Sequence, residues 1–261
     1  MSRSLIGGLI ANGIKPEKLL ATDPDSNQRN AITKQLGIST FADNKEAIAK
    51  ADVILLAVKP QVMHQVVNDI AESIKGTNKL IISIAAGVKL DSITSWLGEQ
   101  AAVVRVMPNT PALIQAGAAA IIANEHTTDV QKNIAEAMMR SVGAAIWLDS
   151  EEQMDAVTAL SGSGPAYFFY FMEAMEKAAI EMGLNEEQAR LLTIETAVGA
   201  SKMALMSSSD PAELRQQVTS PGGTTEQALN TFMQNNMEAL VQKAMQAAKQ
   251  RSIELSKEFG K

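Results

Sequence analysis

The sequence predicts an α/β portion built on a doubly wound, parallel sheet, followed by an all-helical portion. Three observations lead there. Short β-branched apolar runs alternate with amphipathic stretches through the first half, the pattern of strands joined by crossover helices. After Asp149 those runs stop, and Ala, Met, Glu, Gln and Leu, all strong helix formers, dominate to the end. The composition, 46% hydrophobic and 20% charged, is that of a chain that buries a core rather than one that stays disordered. The expected domains are residues 1–149 and 150–261.

The elements follow in order. Leu5, Leu9 and Ile10 recur at helical spacing and Gly13 is a suitable terminator, so the chain opens in a helix. Lys18–Asp23 reads as a strand and 25–36 as the helix after it. Ala51–Val58 is a second strand, almost continuously apolar as expected where both sheet faces are covered. Pro60 opens a helix at a position where its missing N–H costs nothing. Lys79–Ile84 and Ala102–Val106 are the next strands, with Asp91 a candidate cap for a helix ending near Gly98. Runs 117–123 and 144–148 complete the strands, around a helix at 128–140. Helices are then expected at 151–160, 164–182, 186–207 and 225–257, separated by Gly or Pro punctuation. Tyr167–Phe171 holds five of the ten aromatics in the chain, all consecutive. They surround their helix, which makes it either the centre of a monomeric bundle or a subunit interface.

Bulk properties narrow the function. A net charge of −6, a pI near 5.1 and the absence of a Lys/Arg run argue against nucleic acid. The absence of cysteine excludes disulfides, thiolate catalysis and Cys-based metal sites, and agrees with a cytoplasmic location. No run approaches the roughly 20 uncharged apolar residues of a membrane span, and the opening apolar stretch is too short for a signal peptide. His64 and His126, the only histidines, are too far apart in sequence to suggest a metal site or a hydrolytic triad. Ser163 lies in Ser161-Gly162-Ser163-Gly164-Pro165, which does not fit a nucleophile elbow.

A dinucleotide-binding sheet begins with a strand, a glycine-rich turn and a helix facing the pyrophosphate. This sequence begins within that helix, and Lys18–Asp23 then supplies a strand ending on an acidic residue, as a ribose-binding second strand does. The expectation is a Rossmann-like sheet whose first strand and glycine loop are missing, roughly ten residues ahead of Met1.

Four segments carry candidate chemistry. Ala57-Val58-Lys59-Pro60 stands where a strand gives way to a helix, the edge at which ligands of open α/β sheets bind, although a lysine there also suits plain solvation. Ala85-Ala86-Gly87 suits either the close approach of a flat ring or a tight turn. In Arg105-Val106-Met107-Pro108-Asn109-Thr110-Pro111 two prolines stiffen a loop that either lines a cleft through Asn109 and Thr110 or simply turns the chain. Thr219-Ser220-Pro221-Gly222-Gly223-Thr224-Thr225 precedes a helix N-terminus and suits a small carboxylate. It also reads as an ordinary capped start.

Together with Leu160-Ser161-Gly162-Ser163-Gly164-Pro165-Ala166-Tyr167, these segments resemble the pyrroline-5-carboxylate reductase family along essentially the whole chain. The resemblance implies a Rossmann-like domain followed by a helical dimerisation domain, with dimers assembling further into decamers. It implies reduction of 1-pyrroline-5-carboxylate to L-proline with NADPH or NADH, and no metal. It places the substrate carboxylate on Ser220, Gly222, Gly223, Thr224 and Thr225, with Asn109 nearby and Thr225 bonded to the ring nitrogen as the catalytic residue. The cofactor would meet Met1, Ser2, Asp23, Asn44, Ala57, Val58, Lys59, Pro60, Ala85 and Ala86. A carboxylate at Asp23 bonds ribose hydroxyls and repels a 2′-phosphate, favouring NADH, while the neutral Asn44 does not decide the matter. Two other readings stand beside this one. A reductase of the 3-hydroxyacid dehydrogenase kind would lean on Lys177 or Lys202, and a non-catalytic oligomerising remnant would have lost the cofactor loop.

Overall fold

The apolar runs of the first half fold as two sheets, one of two strands and one of five, with helices alternating along the chain. The computed structural model describes residues 1–260, in two units: Met1–Ser163 with the tail from Ala247, and Gly164–Gln246. In the first unit α1 (Ser2–Ala11) leads to β1 (Leu20–Thr22), α2 (Ser26–Leu36), β2 (Ser39–Phe41) and α3 (Asn44–Ile48). Then come β3 (Val53–Leu56), α4 (Pro60–Ile74), β4 (Leu80–Ser83), α5 (Leu90–Leu97) and β5 (Ala102–Met107). The unit continues through β6 (Gly117–Ala123), α6 (Asp129–Arg140), β7 (Gly143–Trp147) and α7 (Gln153–Val157). The second unit holds α8 (Gly164–Glu181), α9 (Glu186–Met206), α10 (Pro211–Gln217) and α11 (Thr224–Gln234). The last helix, α12 (Met237–Phe259), starts there and ends in the first unit.

Local chemistry explains most of these boundaries. Asp25 accepts the Asn27 N–H at 2.8 Å and so caps α2, which ends at Gly37 with φ 69°. Thr128 and Gln131 form a reciprocal capping box at α6, two orphan donors satisfied at once. The candidate cap Asp91 lies inside α5 instead; Lys89 is the N-cap position. The first amide of that helix, Leu90 N, donates to Glu151 Oε1 at 2.6 Å, so the cap comes from a residue distant in sequence.

Five strands form one sheet in the order β3-β4-β5-β6-β7, and β1 and β2 form a separate parallel pair. β3, β4 and β5 are parallel, with Val53 opposite Leu80 and Leu80 opposite Ala102. β6 runs antiparallel to β5, and β7 parallel to β6, a departure from the all-parallel sheet expected. The reason is the connection: only a short 3₁₀ turn, Thr110–Ile114, joins β5 to β6. A parallel crossover needs a dozen or more residues, so the chain reverses.

The alternation of strand side chains divides the core in two. Leu80, Ile82, Val104 and Val106 pack with Leu5, Ala135 and Met139 on the side of α1 and α6. Ile81 and Val103 pack with Met63, Val67, Ile70 and Ile93 on the side of α4 and α5. A cover on both faces is what the continuous apolar strands require.

The division at Ser163/Gly164 lies beyond the expected 149/150 boundary. Fully buried Met154 of α7 and the bond from Ser252 Oγ to Asp155 Oδ1 (2.6 Å) bind this segment and the tail of α12 into the first unit. The expected helix 225–257 is two helices, broken at Asn235–Asn236 with Asn236 at φ 55°. In the second unit α8 lies along α9, yet Phe168, Phe169 and Tyr170 are 64%, 64% and 75% exposed. Tyr167–Phe171 is therefore not the core of a monomeric bundle.

Candidate active site

Three chain segments end side by side because β3, β4 and β5 are parallel neighbours. At the end of β3, Ala57 and Val58 are half-buried, Lys59 is exposed at the N-cap of α4, and Pro60 is the first helical residue. At the end of β4, fully buried Ser83 accepts the Ala85 N–H through Oγ at 3.4 Å, and Ala85 is buried. Gly87 has φ +73°, and a Cβ there would stand 3.1 Å from Leu255 Cβ of α12. The chain turns at this point against the C-terminal tail, in a left-handed conformation that suits glycine and leaves only a tight fit for a Cβ.

Below the end of β5, Arg105 is 2% exposed and its Nη1 donates to Glu151 Oε1 at 2.6 Å. The same oxygen accepts the Leu90 N–H, so one carboxylate ties β5, the start of α5 and the segment after β7 together. Neither Arg105 nor Glu151 could be assigned this work from local pattern, since the partners lie far apart in sequence.

At the end of β5 stands Asn109. Its Oδ1 accepts the Ala118 N–H at 2.9 Å and its Nδ2 donates to the Ser161 carbonyl at 3.1 Å. The carboxamide is thus engaged on both sides by the protein. The segment it grips, Thr158–Gly162, is a π-helical turn.

The remaining cofactor candidates lie around β1 and α1. Asp23 follows β1, its Oδ1 accepts the Asp25 N–H at 2.9 Å, and Arg29 Nη1 donates to the carbonyls of Asp23 and Pro24. Asn44 is the first residue of α3, behind its cap Asp43. Met1 is the N-cap position of α1, Ser2 its first residue, and the first turn carries no acidic side chain. Small residues at the end of β4, a cation at the end of β3 and a helix start free of carboxylates fit a dinucleotide.

The substrate candidates belong to the second unit. Gly222 has φ +71° and its N–H donates to Glu226 Oε2 at 2.8 Å; the Gly223 N–H donates to the Ser220 carbonyl at 3.0 Å. Gly223 is the N-cap position of α11, and no side chain caps that helix. Of the two readings of this loop, the ordinary capped start is the one the geometry lacks. The first-turn amides of α11 face an anion-favouring helix end, with Thr224 exposed and Thr225 half-buried beside them. Glu226, which steadies Gly222, is a participant the sequence alone did not single out. Lys177 is engaged elsewhere: it donates to Glu173 Oε1 at 2.5 Å, and that bond raises its pKa.

A Rossmann-like sheet followed by a helical unit is the architecture of a two-unit NAD(P)H-dependent oxidoreductase, the class to which this chain belongs. Known proteins give the family. The profile described as pyrroline-5-carboxylate reductase dimerisation matches residues 151–255, and that described as NADP oxidoreductase, coenzyme F420-dependent, matches residues 1–87. Pyrroline-5-carboxylate reductase of Pseudomonas aeruginosa is 49% identical over 260 residues, covering 100% of this chain and 95% of that protein. A solved pyrroline-5-carboxylate reductase from Coxiella burnetii superposes with a TM-score of 0.94 at 44% identity, over 98% of this chain and 94% of that one. The Plasmodium falciparum enzyme with NADP bound gives 0.86 at 30% identity, over 98% and 94%. The chain belongs to the pyrroline-5-carboxylate reductase family, whose reaction is reduction of 1-pyrroline-5-carboxylate to L-proline with NAD(P)H.

Proposed function

We propose that this chain carries out that reduction with its two units in separate roles. The first unit holds the dinucleotide along Met1, Ser2, Asp23, Asn44, Ala57, Val58, Lys59, Pro60, Ala85 and Ala86. The second holds the substrate carboxylate on Ser220, Gly222, Gly223, Thr224 and Thr225. The observation that carries the reading is the start of α11, where a glycine pair leads into a helix that no side chain caps.

The cofactor supplies a hydride. The protein's share is orientation and exclusion of water, because a protonated cyclic imine accepts a hydride at its ring carbon without a strong catalytic acid. The amides opening α11 take the carboxylate, and the hydroxyls of Ser220 and Thr224 add donors. The Thr225 hydroxyl accepts the N–H of the iminium and keeps the proton on nitrogen while the neighbouring carbon is reduced. The Asp23 carboxylate favours a free ribose 2′-hydroxyl, hence NADH over NADPH. The working form is a homodimer that assembles further into a decamer, in the cytoplasm.

The test is oxidation of NADH and of NADPH dependent on 1-pyrroline-5-carboxylate, with L-proline as product. NADH is the faster donor on this reading, and a chain that oxidises neither overturns it. Thr225→Ala lowers turnover by about tenfold, the worth of one well-placed hydrogen bond, without a change in melting temperature. Unchanged kinetics remove Thr225 from the mechanism.

A further inference from the structure

We infer that Asn109 is a positioning residue for this reaction, clamping the π-helical turn Thr158–Gly162 to the end of β5. The inference rests on the proposed seating of the cofactor along the ends of β3 and β4, the latter being the strand paired with β5. Its geometry lies wholly within the first unit.

The clamp answers a specific deficit. In an α-helix the Ser161 carbonyl would accept from the amide four residues on, but residue 165 is proline and has no N–H. The chain widens instead, with the Ser163 N–H donating to the Thr158 carbonyl at 2.9 Å, an i→i+5 bond. Ser161 O is left without a helical donor, and Asn109 Nδ2 supplies one at 3.1 Å. The other end of the carboxamide accepts the Ala118 N–H at 2.9 Å, so the turn is fixed to β6 as well as β5. Gly162 packs against the strand end: a Cβ there would lie 2.4 Å from Met107 Cε, so a larger residue would require the Met107 methyl to move aside. The Asn109 backbone is extended, φ −129° and ψ 171°, between two prolines that restrict the residues on either side of it. Single turns of π-helix gather at functional sites. Here the turn stands against the end of β5, the strand paired with β4, and leads directly into α8.

The role differs from substrate contact in what it changes. A residue touching the substrate alters KM when removed; a residue aligning the site alters the hydride step. Misplacement by an ångström costs on the order of tenfold to a hundredfold in rate.

The experiment compares wild type, Asn109→Asp, Asn109→Ala and the double variant Asn109→Ala/Pro165→Ala. Asn109→Asp keeps the acceptor for Ala118 but loses the donor to Ser161. Both single variants are expected to lose about tenfold or more in kcat, with substrate KM nearly constant and a larger kinetic isotope effect from deuterated cofactor. The double variant restores an N–H four residues after Ser161, and is expected to regain melting temperature but not kcat. A rise in KM with kcat intact makes Asn109 a substrate contact and overturns the inference. So does recovery of kcat in the double variant, which reduces the clamp to plain stability, and so does an unchanged isotope effect. Wild-type turnover tests the proposed function separately, since an inactive wild type fails before Asn109 is changed.

Discussion

At the scale of single residues, the Arg105–Glu151 pair carries the sharpest consequence. Arg105 is almost wholly enclosed, and its Nη2 is buried with no partner of its own. Glu151 is therefore the one compensating charge bonded to the guanidinium among the described residues. Glu151→Ala leaves a buried charge unpaired and the first amide of α5 uncapped, with an expected loss of about 3–5 kcal/mol. Urea denaturation measures it, and a loss below about 1 kcal/mol would show that water reaches Arg105. A second residue reports on pH. The Trp147 indole N–H and then Arg140 hold the Glu136 carboxyl below its ordinary value of 4.5. A depressed carboxyl keeps its contacts at all pH above that value and loses them only as pH falls further, through its lower folded value. In a Trp96→Phe background, Trp147 fluorescence should change with a midpoint below 4.5, and Glu136→Gln should abolish that step.

At the scale of elements, what was legible in the sequence was whatever a short window determines. β6 at 117–123 and the start of α4 at Pro60 agree with expectation to the residue, because apolar runs and proline act locally. What escaped was set by partners elsewhere. The direction of β6 follows from the brevity of the turn before it, a constraint on space rather than on residue type. The start of α5 was assigned to Asp91 because an acidic residue near a helix start is the usual signal, yet Glu151 does the capping. Asn109 stands out in the sequence for its setting between two prolines, which suits either a cleft or a plain turn; its bond to the Ser161 carbonyl, four residues before Pro165, becomes visible only with the two segments together. Gly87 was read as either a ring platform or a turn. Its positive φ and the closeness of Leu255 make it a turn pressed by another element. Gly87→Ala should destabilise the protein by about 1–3 kcal/mol through backbone strain and weaken cofactor binding, measurable by quenching of cofactor fluorescence. Unchanged stability would mean that α12 yields at this point.

At the scale of the whole molecule, the second unit cannot be explained as a free-standing body. Tyr170 is 75% exposed, and Phe168, Phe169, Leu191, Leu192, Leu205 and Met206 are exposed with it. Apolar surface of this extent marks an association surface, in keeping with the dimerisation profile that matches this region. Phe169→Glu with Tyr170→Glu should lower the mass measured by sedimentation, leaving the first unit's secondary structure intact. An unaltered mass would place the subunit contact elsewhere.

The continuity of α12 has a consequence of another kind. One unbroken helix passes from the second unit to the first, and its final turns bring Leu255 and Phe259 against Gly87 while Ser252 meets Asp155. A helix transmits phase. Each residue added or removed upstream of Ser252 rotates those three side chains by roughly 100° about the axis, and no loop follows in which the error can be absorbed before the contacts are made. Within α12 the number of residues ahead of Ser252 is therefore fixed by the contacts its final turns make. Natural variants should show substitutions along it and no insertions.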